Sequence, residues 1–192
     1  MVMECSFVTR YVPALTRLAT GRHPGVTPPS RPRRGAAGWP VSLLSGMSVV
    51  DHLTPLLGRW QGTNRLRLMP TDDYQTSAAT ATIGVTAARF VSVAYTWADG
   101  DAPQDGLLLL GGDEDAAAVW VDSWHTGPTW MTFAGGVADG ELRLRGSYPA
   151  ESGPDWGWHI HVRPRDAVLT MHNVVPGHEP YQVVELALQP AP

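Results

Sequence analysis

The residues that could do chemistry are most concentrated in one alternating run, Trp120-Val121-Asp122-Ser123-Trp124. Successive side chains of a strand point to opposite faces, so Asp122 shares its face with both tryptophans. If that face is internal, the carboxyl group must be protonated, paired or hydrogen-bonded. Asp122 then either holds the polar end of a ligand or acts as a general acid, or it accepts hydrogen bonds from a backbone turn or an indole N–H in an ordinary core.

His125 follows this run and precedes the turn formed by Gly127 and Pro128. An imidazole at the rim of a pocket could exchange protons with a substrate, and with Asp122 it makes the acid–base pair of an enzyme hypothesis. The alternative is a rim histidine without a chemical role.

Two further imidazoles, His159 and His161, flank one residue and therefore share a strand face. Such a pair could bind a transition metal. The neighbouring Arg163 would repel a cation, and the alternative is a solvated polar face. We expect no metal here.

Other functional patterns are missing from the sequence. It contains no Gly-x-Ser-x-Gly elbow, phosphate loop or dinucleotide fingerprint, and its single cysteine, Cys5, can form neither an internal disulfide nor a zinc site. Its apolar stretches are far shorter than a membrane span. No apolar h-region precedes a cleavage site, so we expect a cytoplasmic protein without a membrane segment.

Charge divides the chain into two parts. Up to Ser45, six arginines face Glu4 alone, a balance of +5, whereas the remainder has eight arginines and seventeen acidic residues, a balance of −9. The Arg/Pro-rich head, residues 1–46, is predicted to be disordered, and we expect translation to begin near Met47. The acidic remainder, residues 47–192, is predicted to be one domain. Because it lacks a basic stripe, we expect no nucleic-acid partner.

Hydrophobic periodicity in the second part changes from helical to alternating. It predicts a short helix from Val49 to Leu57, capped by Ser48 and ended by Gly58. Ten strands are predicted after it: Trp60 to Leu68, Thr76 to Val85, Phe90 to Trp97, Gly106 to Leu110, Ala117 to Trp124, Thr129 to Ala134, Glu141 to Tyr148, Trp156 to Val162, Val168 to Val175 and Tyr181 to Leu188. The connections are too short for crossover helices, so the sheet should be antiparallel. The predicted fold is all-β, an up-and-down barrel closed at one end by the helix, with a sandwich as the alternative.

A barrel of this strand number can enclose one small ligand. Seven of the eight tryptophans lie in the folded part, so we expect a small apolar or amphipathic ligand in a tryptophan-lined cavity. Two alternatives stay open: an enzyme that uses Asp122 and His125, or a filled barrel whose surface forms a homodimer or binds a partner. The predicted ligand-binding residues are Trp60, Trp120, Asp122, Trp124, Trp158 and Asn173.

The segment Gly58-Arg59-Trp60-Gln61-Gly62 resembles the Gly-x-Trp-x-Gly opening of calycin barrels, which include lipocalins, fatty-acid-binding proteins and nitrobindins. Four later segments, in this order, resemble the bacterial family catalogued as domain of unknown function 1579: Trp120 to His125, Gly146 to Tyr148, Gly153 to Trp158 and Met171 to Gly177. The resemblance implies a calycin-like barrel in which Trp60 closes one end against the helix, and it implies no established activity. The glycine-rich run of nitrobindins is missing, so we expect no haem, although His159 or His172 could reach iron.

Overall fold

The computed structural model describes residues 48–192, which form a short helical segment followed by ten antiparallel strands. The predicted head, residues 1–46, and the predicted start at Met47 lie outside the described residues. Each strand pairs with the next along the chain and the first pairs with the last, so the sheet closes into a barrel. The predicted ten-stranded antiparallel barrel is confirmed. The strands are β1 Gly58–Leu66, β2 Gln75–Thr86, β3 Phe90–Asp99, β4 Ala102–Gly111, β5 Asp115–Asp122, β6 Met131–Ala138, β7 Glu141–Tyr148, β8 Trp156–Arg163, β9 Val168–Val174 and β10 Tyr181–Pro190.

The helix α1, Val49–Leu53, begins at a reciprocal cap. The Ser48 hydroxyl accepts a hydrogen bond from the N–H of Asp51, and the Asp51 carboxylate accepts one from the N–H of Ser48. A 3₁₀ turn, Thr54–Leu56, continues the helix, and Gly58, at φ +133°, leads into β1. The N–H of Val49 donates to the carbonyl of Gly112, 3.0 Å away, which ties the helix to the turn between β4 and β5.

The two ends of the barrel differ in chemistry. At the helix end, where α1 lies, the buried side chains are mostly aliphatic; at the open end, which carries the connections 67–74, 123–130, 149–155 and 175–180, they are aromatic or polar. The helix end contains Leu53, Leu56, Ile83, Leu110, Val162, Leu169 and Leu186. The open end contains Tyr95, Trp97, Trp120, Asp122, Trp158 and Asn173.

Two predicted strands end two residues earlier than expected. β1 ends at Leu66, and Leu68, predicted to continue its inward face, is 39% exposed. β5 ends at Asp122, so the prediction that Trp124 continues this strand is wrong. The chain turns there because the N–H of Asp122 donates to the hydroxyl of Thr126, and the Asp122 carbonyl accepts the N–H of Thr126.

Within residues 48–192, no helix has the length and apolar character needed to cross a bilayer.

The strands that close the barrel, β1 and β10, approach each other closely at Gly62. This residue lies opposite Leu188 in the pairing of β1 with β10, and a Cβ atom at Gly62 would collide with the carbonyl group of Ala187. Gly84 on β2 provides a matched control, because a Cβ atom there would meet nothing within 4 Å.

We therefore expect Gly62→Ala to lower the free energy of unfolding by about 1–3 kcal/mol, the usual cost of overpacking, and Gly84→Ala to change it by less than about 0.5 kcal/mol. Urea denaturation of both variants measures the difference. Equal stabilities would contradict the close approach at this seam.

Candidate functional site

Four aromatic rings meet inside the open end of the barrel: Trp120 of β5, Tyr148 of β7, Trp158 of β8 and His125 from the turn after β5. We call them the mouth cluster. The ring of His125 stacks on Trp158 with centroids 4.3 Å apart and planes inclined by 20°. Trp120 lies nearly parallel to Trp158 at 5.9 Å, and Tyr148 meets His125 edge-on at 5.2 Å. The cluster is a stack of flat rings with one ring closing its side.

The Asp122 carboxylate lies beside this cluster and accepts hydrogen bonds on both oxygens. One oxygen accepts the N–H groups of Trp124 and His125 at 2.9 and 3.1 Å. The other accepts the hydroxyl of Tyr95 at 2.8 Å and the indole N–H of Trp97 at 3.4 Å. This arrangement agrees with the second alternative for Asp122, in which the N–H groups of a backbone turn and of an indole donate to the carboxylate.

Tyr95 connects Asp122 to the mouth cluster. Its hydroxyl donates to Asp122 and accepts the indole N–H of Trp120 at 2.7 Å. Its ring packs over Gly106, where any side chain would collide with it. Burial, and then the Asp122 charge, raise the pKa of Tyr95 well above its usual value, so it stays protonated and keeps donating.

His125 is the site residue whose placement the sequence did not reveal. Its ring lies among aromatic side chains, and within residues 48–192 it makes no side-chain hydrogen bond. Burial lowers its pKa to about 4, so the ring is neutral at pH 7. The position of His125 three residues after Asp122 could have indicated this placement. An aspartate readily accepts the backbone N–H groups two and three residues later, and the chain then turns.

Polar groups line the opposite side of the mouth. The hydroxyl of Tyr148 donates to the Asn173 side-chain oxygen at 2.8 Å, and the Asn173 amide donates to the hydroxyl of Tyr181 at 2.9 Å. Tyr181 donates in turn to the carbonyl of Leu68 at 3.1 Å. Asn173 is buried on β9 directly opposite Trp158, so this network adjoins the mouth cluster.

The indole N–H of Trp158 is buried and has no acceptor among the described residues. Trp158 is only 3% exposed, so water does not reach this donor across an open surface. A buried donor without a partner costs about 1–3 kcal/mol, and such a group calls for an explanation in a folded protein.

Most of the predicted site residues meet at the open end. Trp120, Asp122, Trp158 and Asn173 lie there on strands. Trp124 joins them from the turn, where its indole N–H donates to Asp99 at 3.1 Å and its ring meets Trp97 edge-on at 5.9 Å.

Trp60 lies elsewhere. Its indole N–H donates to the carbonyl of Leu56 at 2.6 Å, so it closes the helix end, as the resemblance implied, and does not join the mouth cluster. The inward alternation of β1 was predicted correctly, but strand alternation alone does not reveal the end of the barrel at which a residue lies.

The predicted histidine pair lies on the outer wall, where His172 of β9 joins it. The ring centroids of His159 and His161 are 6.4 Å apart, and those of His161 and His172 are 4.8 Å apart. Burial, first of all, lowers the pKa of each ring, that of His172 to about 4. No group of three His, Cys, Asp or Glu side chains within residues 48–192 is arranged to hold a metal ion. Since His159 and His172 face outward, neither reaches iron inside the barrel.

A cavity of about 20 Å³ lies under the helix, lined by apolar side chains that include Leu53, Leu110 and Leu186. This is room for about one water molecule. The helix end of the barrel is therefore filled by its own side chains.

The barrel is similar to a solved structure, the crystal structure of Rv2717c from M. tuberculosis. The TM-score is 0.52 at 14% sequence identity, and the match covers 74% of this chain and 97% of that chain. At this identity the likeness shows the fold alone. No protein-family model and no curated protein matches the chain.

Asp122→Asn tests the structural role of the carboxylate. The substitution replaces one of the two carboxylate oxygens by an NH₂ group, which cannot accept a hydrogen bond. The groups that donate to that oxygen therefore lose their acceptor. We expect the free energy of unfolding to fall by about 2–4 kcal/mol, because each orphaned donor costs about 1–3 kcal/mol. Asp101→Asn, at the exposed β3–β4 turn, is the control and should change little. A stability equal to that of the parent protein would contradict this role.

The depressed pKa of His125 predicts a loss of stability in acid. Below pH ~6.5 the unfolded chain binds a proton that the folded ring does not take up until about pH 4. Stability is therefore complete above pH ~6.5 and falls as the pH drops towards 4, by on the order of 3 kcal/mol from this residue. His125→Phe should flatten the dependence in denaturation measured at a series of pH values. An unchanged slope would contradict a neutral, buried ring.

Proposed function

We propose that this barrel binds a small apolar or amphipathic molecule at its open end, against the mouth cluster. The helix end is filled by aliphatic side chains, whereas the open end combines flat apolar surfaces with buried polar groups. Ligand sites in proteins commonly have this composition, a mostly apolar lining with a few placed polar groups.

The observation that carries the proposal is the indole N–H of Trp158. The other fully buried polar side chains of the open end described above have partners: Asp122 accepts from several donors, and Asn173 both accepts and donates. The ring of His125 makes no hydrogen bond either, but His125 is only half-buried, whereas the unused donor of Trp158 is fully buried. A ligand with a hydrogen-bond acceptor would pair with this donor. The cost of the unpaired N–H would then disappear, and this gain would contribute to the free energy of binding.

The role of Asp122 in this function is indirect. Because its oxygens hold the turn and Tyr95, it positions Trp120 and His125, and the polar end of a ligand meets Trp158 or Asn173 instead. The enzyme alternative has less support, because the Asp122 carboxylate and the His125 ring make no hydrogen bond to each other among residues 48–192.

A homodimer is a second candidate, and the outer wall of β4 and β5 favours it. Leu107 and Val119 are 40% and 39% exposed there, next to the apolar Leu109 and Val121. Exposed apolar side chains that adjoin one another are typical of interaction surfaces. Sedimentation of the purified chain tests this candidate separately from ligand binding.

The setting of this function is also a proposal. We propose membership of the bacterial family of domain of unknown function 1579 and a place among the calycins on the sequence resemblance, and a cytoplasmic location as the setting of the barrel.

Trp158→Phe tests the proposed site, because it keeps a flat ring and removes the N–H. The parent protein is first screened with fatty acids, haem and aromatic carbonyl compounds by tryptophan fluorescence and melting temperature. For a compound that binds, we expect Trp158→Phe to weaken affinity by about 5- to 150-fold, the equivalent of one lost buried hydrogen bond.

Trp130→Phe is the matched control, since Trp130 is 68% exposed, and it should bind like the parent. Two results would contradict the proposal: a panel without effect on the parent protein, or equal affinity in Trp158→Phe.

A further inference from the structure

We propose that the ring of His125 is an exchangeable plug in the mouth cluster, and that the ligand class that takes its place is a planar, uncharged heteroaromatic compound with a hydrogen-bond acceptor. This inference rests on the proposed ligand-binding function and specifies its ligand.

The shape of the slot indicates a flat ligand. The imidazole stacks on Trp158 at 4.3 Å and lies offset from Trp120, at 5.4 Å and 28°, while Tyr148 closes the side at an angle of 87°. Aromatic rings gain about 0.5–1.5 kcal/mol per pair in such stacked and edge-on arrangements. A flat ring in this position would keep all three contacts, whereas a flexible acyl chain would not.

Among residues 48–192, the ring of His125 is held by ring contacts alone: the three above and a fourth with Trp124, at 6.1 Å and 23°. Its nitrogens make no hydrogen bond within residues 48–192, in contrast to its backbone N–H, which donates to Asp122. The turn is further held by the Thr126 hydroxyl, which accepts the N–H of Asp122 at 2.9 Å. The imidazole can therefore rotate out about its side-chain torsions while the backbone of the turn stays in place.

The charge of the slot indicates a neutral ligand. Burial among aromatic rings lowers the pKa of His125 to about 4, so the slot disfavours a charged ring by the same physical cause. Beside it, the buried N–H of Trp158 offers a donor without an acceptor. A neutral ring that carries a nitrogen or carbonyl acceptor meets both conditions.

Quinoline is a suitable probe, because it is flat, carries one ring nitrogen and is uncharged at pH 7.5. Naphthalene is its isostere without the acceptor, and N-methylquinolinium is its charged counterpart. We expect quinoline to bind the parent protein, naphthalene to bind more weakly and N-methylquinolinium to bind at least about tenfold more weakly than quinoline.

Removal of the plug should increase affinity. If the His125 ring leaves the site for one-tenth of the time or less, the parent can bind quinoline only during that fraction. His125→Ala should then bind quinoline about tenfold or more tightly than the parent, because no internal competitor remains. His178→Ala, in the connection between β9 and β10 at the same end, is the control and should bind like the parent.

The parent protein provides a test that needs no substitution. In NMR spectra, the Hε1 proton of His125 should be shifted by the ring currents of the tryptophans in the unliganded barrel. Saturating quinoline should move it to the value of an exposed histidine. This measurement tests whether quinoline displaces the His125 ring even if His125→Ala fails to fold.

The outcomes separate the two proposals. If quinoline binds the parent while the Hε1 shift of His125 stays unchanged, or binds parent and His125→Ala equally, the plug is overturned and the proposed function stands. If quinoline binds His125→Ala but not the parent at millimolar concentration, exchange is overturned, because the variant has merely gained a cavity. If no compound of either panel binds the parent, both proposals fail.

Discussion

The pairing of β1 with β10 is the contact on which the rest of the structure depends. It joins the two strands that would otherwise be open edges, and it turns a ten-stranded sheet into a barrel in which each strand has one inner and one outer face. Neighbouring strands place inner side chains side by side: Trp120 of β5 beside Leu108 of β4, and Ala118 beside Leu110.

Closure also divides the interior into two regions with different tasks. At the helix end, aliphatic side chains pack beneath α1 and supply stability by burial. At the open end, polar groups are buried at a cost that hydrogen bonds must offset, and Asp122 does this for a turn, a tyrosine and an indole together. The carboxylate is therefore a structural centre: it holds Tyr95 against Trp120 and brings His125 to the mouth.

The same division supports the proposal that the barrel binds a ligand at its open end. The imidazole of His125 occupies the mouth without hydrogen bonds, next to a donor of Trp158 that has no acceptor. Under the proposal, the affinity of the stacked ring for its place in the cluster sets the threshold that a ligand must exceed. Specificity for shape and charge then follows from the rings and the low polarity around them.

The sequence by itself determined the strand number, the antiparallel order and the alternation of side chains between two strand faces, because these follow from local periodicity and short connections. It placed Trp120 and Asp122 on the same face of one strand but left open whether that face is the inner one, which the structure decides. Only the tertiary structure decided which end of the barrel each residue occupies, so that Trp60 lies apart from the other predicted site residues. It alone decided that β5 ends at Asp122, two residues before the predicted end at Trp124. These outcomes depend on hydrogen bonds between Asp122 and residues from β3 and the following turn, and on closure of the ring, which no local pattern encodes.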